Sequence, residues 1–389
     1  MKLYNTSDES IIKELTAIKD GFTKMRRITD NVELLESFYE MLLEVSGRRD
    51  PEAEDLLIKN NKYREIRLKE RKFLHKKSIN NFIEHKDFHR SFSGKVIDVY
   101  DKDFNYYVNK SLYLREEQLC EIICDFLNDE FNQADKFIDL VNRGHVYKSN
   151  IVEDVPDTLP TAGYTMFNYF TKQSFIVVSE DKGIRDLEML RVLAHEFGHV
   201  IDNLNKDSFT SGEMASYNFL SGYSEVWALM YEKLFLDYMI RNNIFKGNAS
   251  YVNKLRYLDI YDNFNSLEYL SSLEDHLLVN ERYKRDENIV EQISFYDLSI
   301  SKAVIDDFSD VNLYSYGGLL AYYFAYLKRN DISEFNRQFE IFKIKRAGMF
   351  NPKIFEDLGT TPDEVLKIYE KGLDEITDTK LTLKNNTNF

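Results

Sequence analysis

Apolar residues recur at intervals of three and four along most of this chain, the spacing that buries one face of a helix. Between residues 7 and 142 the pattern is nearly continuous. It shows in Leu34, Leu35, Phe38, Leu42 and Leu43, and again in Leu119, Ile122, Ile123, Phe126 and Leu127. Breaks fall at 48–51, where Pro51 suits a first helical turn, and at Ser93-Gly94. Pro156 and Pro160 mark a loop before the texture changes. Residues 173–179, Gln-Ser-Phe-Ile-Val-Val-Ser, are rich in β-branched and aromatic side chains and run into the charged turn Glu180-Asp181-Lys182-Gly183. They predict a strand. Helical periodicity then resumes over about 184–205 and again over 222–232. A last helix is announced by Thr361 as N-cap, Pro362 at its first position and Glu364 three residues after the cap. The polar tail 380–389 is expected to fray. The pattern predicts a mainly α fold with a small sheet.

Composition supports a packed globular protein. Of 389 residues 43% are hydrophobic, and 28 Phe and 26 Tyr supply ample core material. Gly (15) and Pro (5) are scarce, which favours long helices over many tight turns. The formal net charge is −15. The densest basic stretch, 64–77, is interrupted by Glu65 and Glu70, so it predicts a solvated helix face and no nucleic-acid partner. Residues 1–14 hold no apolar signal core, and no apolar run approaches the ~18 residues that span a bilayer. The expectation is a cytoplasmic protein with no membrane partner. Cys120 and Cys124, four apart on one apolar-periodic helix, predict two small buried residues and no disulfide framework. Of the other histidines, His75, His85 and His89 lie in or near the basic stretch, His145 follows Gly144 in a loop, and His276 lies in an acidic helix.

Chemistry concentrates on the helix around 184–205. Leu187, Leu190, Ala194, Phe197, Ile201 and Leu204 form an apolar seam facing a core. At ~100° per residue, Glu188, Val192, His195, His199 and Asp202 form a second stripe on a face that the core is not expected to claim. Residues four apart lie one above the other with Cβ atoms ~5–6 Å apart. Two imidazoles so placed can converge on one ion at zinc–nitrogen distances of ~2.0–2.1 Å. Glu196, directly after the first histidine, projects beside such an ion, where a general base for water would stand. The pattern His195-Glu196-Phe197-Gly198-His199 therefore predicts a zinc-dependent hydrolase with Glu196 as base. Such a site needs a third protein ligand. Glu225 is the candidate, in a helical segment where Glu225, Ala228, Leu229 and Glu232 share a stripe. Two carboxylates on a partly apolar stripe either reach solvent or need a metal and a hydrogen-bond donor to offset their burial.

His195-Glu196-Phe197-Gly198-His199, followed by Glu225-Val226, resembles the thimet oligopeptidase and oligoendopeptidase F family of gluzincins. The likeness runs from about residue 113 to 374. The strand 175–179 stands where that family has its active-site edge strand. Leu313-Tyr314-Ser315-Tyr316-Gly317-Gly318 resembles its Tyr/Gly-rich segment, and 345–350 with the capped last helix resembles its C-terminal end. The resemblance implies an N-terminal helical region over 1–112 and a zinc metallopeptidase domain over 113–389. That domain would be multi-helical, with a small β-sheet beside the active-site helix. It also implies one Zn2+ per chain on His195, His199 and Glu225, peptides as substrates, Glu196 as general base, and Tyr314 and Tyr316 as groups that contact the scissile carbonyl or the tetrahedral intermediate. Asp202 or Glu232 would orient a ligand. The chain departs from the family pattern at Asp202, where a third His is usual, and at Ala228, where a small hydroxyl residue is usual. It also lacks a His ahead of Tyr314, and its N-terminal part is short. These departures define the competing expectation: a catalytically impaired homologue that keeps zinc and captures peptides or a protein partner.

Overall fold

The computed structural model describes residues 4–5, 84, 114–149, 163–168, 173–179, 187–206, 223–244, 316–346, 351–369 and 371. The expectations for 34–51, 93–94, 156–160, 313–315, 347–350 and 380–389, and for His75, His85, His89 and His276, lie outside the described residues. What is described is mainly helical with one small sheet. It falls into two compact units, Met1–Phe73 with Asn109–Asp207 and Leu74–Val108 with Ser208–Phe389.

In the first unit, helix α1 (Glu116–Phe131) begins where the Arg115 N–H donates to Gln118 Oε1 at 3.1 Å. Glu116 and Glu117 lie in its first turn, where the helix dipole favours negative charge. Asn132 ends it in the left-handed region (φ 53°), a conformation asparagine tolerates better than most residues. Leu119, Ile123, Phe126 and Leu127 of the predicted stripe are buried. After α2 (Ala134–Asn142), Gly144 (φ 75°) turns the chain into strand β2 (Val146–Ser149). Lys148 on β2 pairs with Glu116 on α1.

Among the described residues the sheet holds four strands in the order β1-β2-β4-β3. Strand β1 (Tyr4–Asn5) runs parallel to β2, and β2 runs parallel to β4 (Gln173–Ser179). Strand β3 (Gly163–Asn168) is antiparallel to β4, from Gly163 opposite Val178 to Asn168 opposite Gln173. β4 has the predicted bounds. It is, however, an interior strand and not the sheet edge that the family resemblance implied. Residues 174–178 are all buried, as expected of a strand flanked and covered on both faces, and among the described residues β3 is the outer strand on that side.

Helix α3 (Leu187–Leu204) packs against β3, β4 and α1. Phe197 meets Phe137 of α2 edge to face, with ring centroids 5.8 Å apart. Leu187, Leu190, Ala194, Phe197 and Ile201 of the expected seam are buried, while Leu204 at the helix end is 47% exposed. The second stripe corrects the sequence expectation. Val192 and Asp202 are buried as well, because α3 is covered on more than one side.

The second unit is built on α4 (Val226–Arg241). Residues 226–236 are buried without interruption, so the helix meets neighbours on every face. The unit also holds α5 (residues 316–330), α6 (Ile332–Lys345), α7 (Lys353–Leu358) and α8 (residues 362–369). Asp331 caps α6 by accepting from the Glu334 N–H at 3.0 Å. Gly359 (φ 78°) ends α7. The predicted capping box of α8 is formed in both directions. The Glu364 N–H donates to Thr361 Oγ1 (3.2 Å), and the Thr361 N–H donates to Glu364 Oε2 (3.0 Å).

Aromatic rings fill the interior of this unit. Trp227 lies 4.7 Å from Phe339 and 5.5 Å from Phe342, and Phe324 touches both of these phenylalanines. The guanidinium of fully buried Arg346 stacks over Trp227 at 4.1 Å. Burial pulls its pKa down to about 9. That is still above neutrality, so the group stays charged and the ring face offsets part of its lost hydration. Tyr223 ties the unit to Asn351 through two hydrogen bonds. Its O–H donates to the Asn351 carbonyl (3.3 Å) and its oxygen accepts from the Asn351 N–H (3.1 Å). Among the described residues, no helix is long and apolar enough to cross a membrane.

Candidate functional site

The His195-Glu196-x-x-His199 run lies in the middle of α3. The helix places the imidazoles of His195 and His199 side by side. Their ring centroids are 5.0 Å apart with planes at 78°. Both are half-buried, whereas Ala194, Glu196, Phe197, Gly198 and Val200 around them are buried. The four-residue spacing thus brings two ring nitrogen donors to a stripe of α3 that, with Arg191 one turn earlier, is not fully buried.

Glu196, between the two histidines in sequence, is 4% exposed. Its carboxylate meets β3. Thr165 Oγ1 lies 2.8 Å from Glu196 Oε2 and 2.8 Å from the Glu196 carbonyl oxygen. Gly163, two residues earlier, explains how the strand comes so near. A Cβ there would stand 2.4 Å from Val192 Cγ1, 3.1 Å from the Val177 carbonyl oxygen and 3.2 Å from Glu196 Oε1. The first distance is far inside van der Waals contact, so only glycine lets β3 approach α3 this closely. Thr165 and Gly163 were not singled out from the sequence. The signal was faint: Gly163-Tyr-Thr-Met-Phe-Asn168 is a short run with β-forming Tyr, Thr and Phe, four residues ahead of the well-marked β4.

Glu225 immediately precedes α4, with helical backbone angles (φ −86°, ψ −11°), and is half-buried. Its carbonyl accepts the Leu229 N–H at 2.9 Å. A carboxylate at this end of a helix is favoured by the helix dipole. Ala228 and Leu229 of its expected stripe are buried, and Glu232 is 3% exposed. Asp202, three residues after His199, is fully buried and pairs with Lys206 Nζ at 2.8 Å. That lysine also donates to Asn203 Oδ1 at 3.1 Å. Asp202 is therefore held by a cation just past the end of its own helix. Tyr316 opens the described part of α5 with its side chain fully buried, and that burial raises its phenol well above the ordinary value. Tyr314 lies outside the described residues.

The two thiols are free; Cys120 is buried and Cys124 half-buried. Burial pushes Cys120 up to about 12 and Cys124 up to about 11. At pH 7 a thiol of pKa 11 is ionised to only about one part in 10⁴, and it is the thiolate that reacts and binds metal. Both cysteines should therefore react with Ellman's reagent far more slowly in the native chain than in urea. Stoichiometric labelling of the native protein within seconds would contradict this.

Comparison of the chain with protein-family models, with curated proteins and with solved structures finds no match.

Proposed function

We propose that the chain is a zinc-dependent metallopeptidase of the thimet oligopeptidase and oligoendopeptidase F type, a gluzincin-like catalytic chain that hydrolyses peptides. One Zn2+ per chain would be held by His195, His199 and Glu225. The observation that carries this reading is the donor set. Each of the three residues offers one ligand atom, and these atoms lie within 4.8 Å of one another. Two imidazoles and one carboxylate, with a fourth position left for water, are the ligands of a catalytic zinc site.

Zinc in such a site polarises a carbonyl and makes water easier to deprotonate. The chain's own groups do the rest. Glu196 takes the proton of the attacking water on its carboxylate and delivers it to the nitrogen of the leaving amine. His195 and His199, fixed on one helix, need no rearrangement relative to each other. A phenol from Tyr314 or Tyr316 is assigned, by resemblance, to donate to the oxyanion that develops at the scissile carbonyl. A cytoplasmic location goes with this reading, since both described cysteines are free thiols.

The test is cleavage of a quenched fluorescent peptide library, with bound zinc measured alongside. The wild-type chain should cleave, lose activity to a chelator and regain it with zinc. His195→Ala and Glu225→Ala should lose both metal and activity. A wild-type chain that holds one zinc and cleaves nothing would overturn the enzyme reading in favour of a peptide-capturing homologue.

A further inference from the structure

The carboxylate of Glu196 does not stand alone on its helix. It is enclosed by β3, a strand from a different part of the chain, which brings one hydroxyl and one gap to it. The hydroxyl is Thr165 Oγ1, at 2.8 Å from both Oε2 and the carbonyl oxygen of Glu196. The gap is the missing side chain of Gly163, beside Oε1. The two residues sit two apart on β3, so they share one face of the strand, and that face is the one laid against α3.

From this we infer that Thr165 is a positioning residue for the general base, an assignment that rests on the peptidase reading above. A buried carboxylate with free rotation about its χ angles would sample orientations that cannot receive a proton. A hydrogen bond to one of its oxygens removes that freedom. The hydroxyl also suits both charge states through which a general base must pass. It carries one hydrogen and two lone pairs. Toward the ionised carboxylate, Oγ1–H donates to Oε2. Once the carboxyl has taken a proton there, that O–H donates to Oγ1, and the threonine hydrogen turns to the carbonyl oxygen of Glu196, at the same 2.8 Å. The Thr165 hydroxyl thus has a partner for its hydrogen in either state. The proton accepted from water stays on the carboxyl until it leaves with the amine, and Thr165 neither gains nor loses one.

Valine matches threonine in shape but lacks the hydroxyl, and serine keeps the hydroxyl without the methyl group. Thr165→Val should lower kcat by about 10–100-fold, the usual loss when a group that orients a site residue is removed. KM, zinc content and the unfolding midpoint should stay near wild type. Thr165→Ser should recover kcat to within a few-fold. Thr165→Ala gives the same hydroxyl deletion if the valine variant fails to fold. An unchanged kcat in Thr165→Val or Thr165→Ala overturns the assignment, and so does a Thr165→Ser variant as slow as the valine one, since packing would then explain the loss. A wild-type chain that binds zinc but cleaves no peptide overturns the peptidase reading and this role with it. Cleavage by the wild type together with full activity in Thr165→Val overturns the role of Thr165 alone.

Discussion

Replacing Glu196 with Gln is expected to lower kcat/KM on a quenched fluorescent peptide by about 10²–10⁴-fold, the range that one general acid–base group contributes. Bound zinc should stay at about one per chain. The substitution is close to isosteric, and Glu196 is only 4% exposed, so a replacement base from bulk water has little access. The amide oxygen can still accept from Thr165, whose hydroxyl stands 2.8 Å from Oε2, and the packing between β3 and α3 should survive. What the amide cannot do is take up a proton near neutral pH. The loss should therefore fall on kcat, with zinc content and thermal midpoint close to wild type. A Glu196→Gln variant that retains a tenth or more of wild-type kcat/KM would remove Glu196 from the role of base. One that loses zinc as well would assign the residue to the metal and not to the proton.

Trp227→Ala should reduce the stability of the chain by about 3–5 kcal/mol, the range for deleting a buried Trp or Phe. Trp227 is 1% exposed and lies between Phe339, Phe342 and the Arg346 guanidinium. Removing the indole opens a cavity and also takes away the ring face on which a fully buried cation rests. Trp227→Phe, which keeps a ring, should cost markedly less. Urea unfolding followed by circular dichroism measures both. Fluorescence cannot serve, because Trp227 is the single tryptophan of the chain. A loss under about 1 kcal/mol in Trp227→Ala would mean that these rings are not tightly packed in solution.

Much of the fold was legible from pattern. The β-branched run at 173–179 became β4 with the same bounds, the Thr361 capping box formed as written, and the helix carrying His195 and His199 follows the three–four spacing. Each of these signals is local and strong. The errors came from what a single segment cannot know. A helical wheel places Asp202 away from the seam. It cannot register that a sheet and another helix cover α3 on different sides, nor that Lys206 would join Asp202 in the interior. Likewise the resemblance put the functional edge at β4, from its place just ahead of the histidine helix. Strands buried on both sides give the clearest apolar runs, so the best-marked strand is the central one, and β3 carries a fainter pattern. For the site, the side-by-side placement of His195 and His199 was readable because their spacing is a property of one helix. Thr165 was not, since a lone threonine acquires meaning only from the residue across from it.

Gly163 has a consequence for how the site can be tuned. With a hydrogen where every other residue has carbon, the strand brings no side chain of its own into the gap that Val192 and Glu196 fill from the helix. A methyl group at this position would act as a wedge one atom thick, displacing Val192 and Glu196 in the same stroke. The chain thus carries a setting for the place of the Glu196 carboxylate that is written in backbone separation and lies outside the side chains of His195, Glu196 and His199 themselves.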